Sequence, residues 1–373
     1  MSDEDSGHGV EGFLVNRARR RQAAPPPPSA RAHDFNRTAV FKDPMPGRDW
    51  LSAAWSPDGS QVAVGGRTDS DKGAVLEIWN AQTGHHESHS VRHLTHHLDG
   101  QVVSVSWAPS GSQLATVETS KHSGLTVLNI RSLTEAKRAI SLPEGAEVSQ
   151  AAWSPDGSLL AVSARGARST LLIDPASGQL GRTLEGLSGP VAWEPGGHRL
   201  AGPDGADIAI VDALTGQRER TISGQSNQAT AVSWATQGKV LAVSDGEHIR
   251  VLDADSGDRL WNLPWATSEG DRSDDPSVHY IGWLDSGRYL LEFRKHGAWS
   301  RSDASAVISS ITLWDVTTRS LFGFLFEETL QRRQLPPAEI LVPPQGGRQC
   351  LIMDDHLAPR RWEITGDLPG FLP

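Results

Sequence analysis

The sequence predicts an all-β fold in which seven similar units, each a four-stranded antiparallel sheet, are arranged around a ring. Three observations carry that expectation. A tryptophan-marked segment recurs six times along the chain, an apolar run follows each recurrence after a Pro/Gly-type turn, and a third segment closes on an apolar or aromatic residue next to a carboxylate or amide. Self-similarity at a period of some tens of residues is the signature of stacked units that bury their faces against one another.

The tryptophans are Trp55, Trp107, Trp153, Trp193, Trp234 and Trp283, spaced by 52, 46, 40, 41 and 49 residues. The octapeptide AAWSPDGS stands both at 53–60 and at 151–158. A seventh unit, AEILVPPQGGRQCLIM, keeps the strand–turn–strand outline without the tryptophan. Period-2 alternation puts each tryptophan on one face of its strand, and the residue before it on the other. That preceding residue is small every time: Ala54, Ser106, Ala152, Ala192, Ser233 and Gly282. A tryptophan therefore has a small face on the neighbouring sheet to press into.

The Ser-Pro-Asp-Gly segment reads as a hairpin turn, because proline presets φ, aspartate bonds nearby backbone and glycine takes the conformation a side chain would strain. The second strands follow as VAVG (62–65), LATV (114–117), LAVS (160–163), LAGP (200–203), LAVS (241–244), LLEF (290–293) and CLIM (350–353). The third strands are expected to close at Trp79-Asn80, Leu128-Asn129, Ile173-Asp174, Val211-Asp212, Leu252-Asp253, Trp314-Asp315 and Trp362-Glu363. Turns such as NAQTG, DPASG, DALTG and DADSG come next, and a more polar outer strand follows.

These repeats resemble the WD-repeat β-propeller family, whose units carry an SPDG-like turn and a Trp-Asp pair closing the third strand. The resemblance spans about 38–373 and implies a seven-bladed β-propeller of four-stranded antiparallel blades. The Gly-His pair of that family is mostly absent; His97 and Gly224-Gln225 stand in its place in two repeats. The last repeat runs out after three strands, so residues 35–42 at the N-terminal side are expected to complete the last blade and cover its edge.

Residues 1–37 carry an arginine cluster, RARRRQ, and the run Pro25 to Pro28, with few large apolar residues. They read as a disordered Arg/Pro-rich tail and linker. GFLVNRARRR (12–21) is a candidate docking motif, with a solvated tail as the alternative.

A formal net charge of −10 argues against nucleic acid and anionic membranes as partners. Cys350 is the only cysteine, which excludes an intramolecular disulfide or a multi-cysteine metal site and fits a reducing, cytoplasmic setting. Arginine supplies 29 of the 35 basic residues, a bacterial-type usage. No phosphate loop, nucleophile elbow, HExxH helix or EF-hand loop occurs. HHESHSVRHLTHH (85–97) holds six histidines on the expected outer strand of the first unit. Its strand spacing is too wide for one ion to bridge His89 and His93, so no metal and no cofactor is expected.

The repeat is interrupted by two insertions on one face of the ring, WATSEGDRSDDPS (265–277) and RKHGAWSRSDASA (294–306). They bring in Trp265 and Trp299, which the repeat does not require, beside Arg294, Lys295 and Arg301. Exposed Trp and Arg dominate interface hot spots, so these five residues form the candidate partner-binding site. The expected function is a non-catalytic protein-interaction scaffold, a monomer or a member of a hetero-complex. The alternatives are a propeller enzyme of the lactonase or hydrolase type with a channel site, and a sensor of a small ligand or peptide.

Overall fold

A computed structural model describes residues 35–40, 48–68, 73–85, 100–120, 125–132, 137–143, 147–165, 168–224, 228–246, 248–263, 276–284, 287–296, 307–330, 337–341, 349–354 and 357–364. Among these the chain is all-β, with six four-stranded antiparallel sheets, one three-stranded sheet and no α-helix.

Strand β1 (Phe35–Val40) comes first. The first sheet then holds β2 (Arg48–Trp55), β3 (Gln61–Thr68) and β4 (Ala74–Asn80), and the second β5 (Gly100–Trp107), β6 (Gln113–Ser120), β7 (Thr126–Ser132) and β8 (Lys137–Ser141). The third holds β9 (Glu147–Trp153), β10 (Leu160–Arg165), β11 (Ser169–Ile173) and β12 (Leu180–Glu185). The fourth holds β13 (Ala192–Trp193), β14 (Arg199–Asp204), β15 (Asp207–Asp212) and β16 (Arg218–Ile222). The fifth holds β17 (Ala231–Trp234), β18 (Val240–Ser244), β19 (Ile249–Asp253) and β20 (Arg259–Asn262). The sixth holds β21 (Pro276–Leu284), β22 (Tyr289–His296), β23 (Val307–Asp315) and β24 (Ser320–Leu330). The seventh pairs β25 (Pro337–Leu341), β26 (Gln349–Asp354) and β27 (Leu357–Ile364) with β1, in the order β1-β27-β26-β25. The expected N-terminal strand is therefore paired with the C-terminal sheet, Phe35 opposite Ile364. Strand β1 starts at Phe35, inside the segment read as tail. The histidine segment expected as the first sheet's outer strand lies outside the described residues apart from His85.

The two copies of SPDG form one turn twice. Gly59 and Gly157 take φ of 70° and 75°, which only glycine adopts without strain. Ser56 and Ser154 each donate from Oγ to the aspartate two residues on (2.6 and 2.7 Å) and accept the backbone N–H five residues on (both 2.9 Å). The serine and aspartate brace the hairpin from within.

The strand register makes the six tryptophan units superposable. Each tryptophan lies opposite the residue seven positions later, Trp55 on Val62 through Trp283 on Leu290. This register corrects one closing pair. In the second sheet Leu114 faces Arg131, as Val62 faces Trp79 in the first, so the pair is Arg131-Ser132 and not Leu128-Asn129. Asn129 is fully buried in mid-strand.

The core lies between sheets. Val102, Val105, Trp107 and Leu114 pack on Ala63, Ala74, Leu76 and Ile78 of the first sheet. The same opposition of tryptophan face to small face recurs at the next junctions. The small face proves to be a cross-strand pair: Ala54 opposite Ala63, Ser106 opposite Ala115, Ala152 opposite Ala161, Ala192 opposite Ala201 and Ser233 opposite Ala242. Farther out the same face carries Leu and Ile, so only its inner two strands are small. In the sixth sheet Gly282 lies opposite Leu291, and the unit that follows is the one without a tryptophan. Small pairs stand where an indole must be received, because an added methylene there overpacks the junction.

Candidate functional site

Of the five residues expected to bind a partner, Trp265, Trp299 and Arg301 lie outside the described residues. Arg294 and Lys295 belong to strand β22, opposite Ser310 and Ser309 of β23, so the insertion between β22 and β23 begins after them. The other insertion likewise ends at the start of β21, at Pro276.

The first strands of successive sheets lie side by side. Contacts join β2 to β5, β5 to β9, β9 to β13, β13 to β17, β17 to β21, β21 to β25 and β25 to β2. Along them runs a hydrogen bond, repeated at five junctions, from an indole Nε1 to the carbonyl of the small residue before the preceding tryptophan. Trp107 donates to Ala54 (3.0 Å), Trp153 to Ser106 (3.2 Å), Trp193 to Ala152 (2.9 Å), Trp234 to Ala192 (2.9 Å) and Trp283 to Ser233 (3.0 Å). These bonds satisfy buried donors and fix the offset between neighbouring sheets.

A second repeated bond occurs at three junctions. The side chain three residues before a tryptophan accepts the backbone N–H two residues before the next one: Ser52 from Val105 (3.1 Å), Ser104 from Ala151 (3.0 Å) and Gln150 from Val191 (2.9 Å). At the same position the fourth and fifth sheets have Pro190 and Ala231, neither of which has a polar side-chain atom.

These strands enclose a cavity of about 820 Å³. Its walls include Ser52, Ser104, Gln150, Pro190, Ala231 and Tyr280, and its mouth includes the turn prolines Pro57, Pro109 and Pro155. Among the described residues that line it none is acidic or basic. Sequence reading overlooked Ser52, Ser104 and Gln150, although a shared place three residues before the tryptophan marked them.

Charge is concentrated elsewhere. At the fourth–fifth junction, Arg199 donates from Nε and Nη2 to Glu194 (2.9 and 2.6 Å), from Nη1 to Asp255 (2.7 Å) and from Nη2 to the Gly238 carbonyl (3.2 Å). Its guanidinium lies 5.2 Å from the Trp234 ring centroid. The hydrogen bonds that Arg199 donates to Glu194 raise its affinity for its proton further. In the second sheet Arg131 meets Glu118 at 2.6 Å, both buried. Among the described residues the other Glu118 oxygen and both side-chain polar atoms of Asn129 have no hydrogen-bond partner.

The turn carboxylates are held ionised. Ser154 and then the Ser158 backbone pull Asp156 down to about 2, and Ser56 and Ser60 lower Asp58 in the same way. Asp174, Asp212 and Asp253, each accepting from the turn it opens, are lowered by hydrogen bonds led by the Ser177 hydroxyl, the Thr215 N–H and the Ser256 N–H respectively. These groups are anionic turn caps with their acceptors committed.

Comparison with protein-family models and with curated proteins yields no match for this chain. Among the described residues no helix is long and apolar enough to cross a membrane.

Proposed function

We propose that the chain is a seven-bladed β-propeller of the WD-repeat type, closed by β1 in the last blade, and that it serves as a non-catalytic scaffold for a protein partner. The observation that carries this reading is the repeated junction. One indole-to-carbonyl bond, one tryptophan and one small pair recur from sheet to sheet, and the first strands touch in unbroken succession. Such a ring is stiff and presents loops of variable sequence, a construction suited to docking. The docking surface is placed on the two insertions around the sixth blade, with Trp265 and Trp299 as anchors and Arg294, Lys295 and Arg301 beside them. In this reading the protein works in the cytoplasm without a cofactor.

Affinity capture with the full-length protein and with a Trp265→Ala/Trp299→Ala variant tests the surface. The partner recovered by the wild type should be lost with the double variant while the far-ultraviolet spectrum stays unchanged. Equal recovery by both proteins would sink the proposed docking surface.

A further inference from the structure

The tryptophan face of the second sheet carries a polar cluster that its own bonds leave unfinished. Thr116 and Glu118 stand two apart on β6, and Asn129 and Arg131 two apart on β7, with Thr116 directly opposite Asn129, so all four project from one face. Each is more than nine-tenths buried. The bonds within the cluster converge on a single oxygen: Arg131 Nη2 and Thr116 Oγ1 both donate to Glu118 Oε1 (2.6 and 3.3 Å). Among the described residues Glu118 Oε2, Arg131 Nε and both amide atoms of Asn129 have no hydrogen-bond partner.

The same places in two other sheets are closed by direct bonds. Counted from the residue opposite the tryptophan, Asn129 corresponds to Arg250 in the fifth sheet and Thr312 in the sixth. Arg250 donates to Asp245 and Thr312 to Glu292, both at 2.8 Å. Asp245 stands four residues after Leu241, as Glu118 stands four after Leu114. The second sheet thus has the acid of the fifth, but its asparagine is much shorter than Arg250 and makes no bond to it.

The unpaired atoms define what would complete the cluster. Glu118 Oε2 and Asn129 Oδ1 require a donor, whereas Arg131 Nε and Asn129 Nδ2 require an acceptor. A cation would serve only the oxygens and an anion only the N–H groups. The Glu118–Arg131 pair is already neutral, so either ion would bring unbalanced charge into the core. Water both donates and accepts, and internal waters make about three hydrogen bonds to buried groups of this kind. The burial of all four side chains argues for nothing larger.

We infer that the second sheet holds at least one ordered water, bound between Glu118 Oε2, Arg131 Nε and the Asn129 amide. It completes through solvent the link from third strand to acid that Arg250 and Thr312 make directly. This face is turned to the first sheet, since Leu114, beside Thr116, packs there with Ala63, Leu76 and Ile78. Exchange of the water with bulk solvent therefore requires the first and second sheets to part, and its residence time measures how often that junction opens.

The test is the magnetic relaxation dispersion of water oxygen-17 in solutions of the full-length protein, which counts internal waters that outlast molecular tumbling. Asn129→Leu removes both amide atoms and puts in the side chain that the third sheet carries at the same place, Leu171. The dispersion amplitude should fall by the contribution of at least one water, with the melting temperature held or raised. Thr312→Val, at the matching place where the bond is direct, should leave the amplitude unchanged. An amplitude indifferent to Asn129→Leu, or an equal loss in both variants, would overturn the inference. Should Asn129→Leu fail to fold, a high-resolution crystal structure of the wild type decides. A water within about 3.2 Å of Glu118 Oε2 and the Asn129 amide would support the site. A direct bond from Asn129 to Glu118, or uptake of rubidium or bromide at that place in soaked crystals, would overturn it.

Discussion

The junctions among the first four sheets and the junction between the fourth and fifth hold neighbouring sheets together with different chemistry. The former add a neutral acceptor on the inner strand, Ser52, Ser104 or Gln150, to the indole bond. The latter has Pro190 at that place and instead fastens the turns with Arg199, which reaches Glu194 on its own sheet, Asp255 and Gly238 on the next, and the face of Trp234. The fifth–sixth junction differs again, with Trp261 edge-on to Trp314 at 5.8 Å. The indole bond sets the geometry and is common to all. The second fastening lies on the inner strands in the first case and at the turns in the second.

The largest expected effect concerns the buried charge pair within the second of these sheets. Arg131→Ala strands the Glu118 carboxylate, 3% exposed, in the core. It should destabilise by about 3–5 kcal/mol in urea unfolding. A Glu118→Leu/Arg131→Leu variant should recover most of that loss, and a double variant no more stable than Arg131→Ala would contradict this account.

Next in size is a direct contrast of the two fastenings. Ser104→Ala leaves the buried Ala151 N–H without its acceptor and should cost about 1–3 kcal/mol. Its increase in amide exchange should centre on the second and third sheets. Arg199→Ala should cost about 1–2 kcal/mol, within the range of exposed-to-partly-buried ion pairs and cation–π contacts, with faster exchange confined to the fourth and fifth sheets. Spread of either signal across all sheets would mean that the junctions do not act separately.

Acid should act on the turns. The turn aspartates have folded pKa values below their ordinary value of 3.8, Asp156 at about 2. Their contribution is complete above about pH 4 and lost as pH falls through the folded values. The melting temperature should decline between about pH 4 and pH 2. Asp156→Asn keeps an acceptor but does not titrate, and should make that decline shallower.

The smallest effect sharpens the comparison among turns. Gly84, Gly178, Gly216 and Gly257 close the strand-three turns with φ of 67°, 76°, 74° and 82°, whereas the sixth sheet uses Arg319 at 54°. Arg319→Gly should raise stability by about 0.5–1 kcal/mol in thermal melts, since the left-handed region penalises a side chain.

Much of this was legible in the sequence. Trp55 to Trp283 and their small predecessors specify both faces of each inner strand, because burial demands size complementarity that composition alone reveals. The turns were legible for a similar reason, since Pro57, Asp58 and Gly59 act within their own hairpin. Arg131 was misread because LTVLNIRS offers Leu128-Asn129 as an equally apolar–amide pair, and only pairing with Leu114 decides between them. Ser52, Ser104 and Gln150 were passed over because their bonds join residues 41 to 53 positions apart. Of the expected partner site, Arg294 and Lys295 were assigned to a loop since basic residues do not fit the apolar pattern by which strands are recognised.

The indole bonds also have a direction in time. Every indole described above comes from the later sheet and every carbonyl from the sheet before it, so a chain emerging from the ribosome always adds a new donor to a receptor already made. Assembly can thus proceed sheet by sheet in the order of synthesis. Among the described sheets only the seventh takes in a strand made at the outset, and β1, the earliest described strand, is the last to find its place.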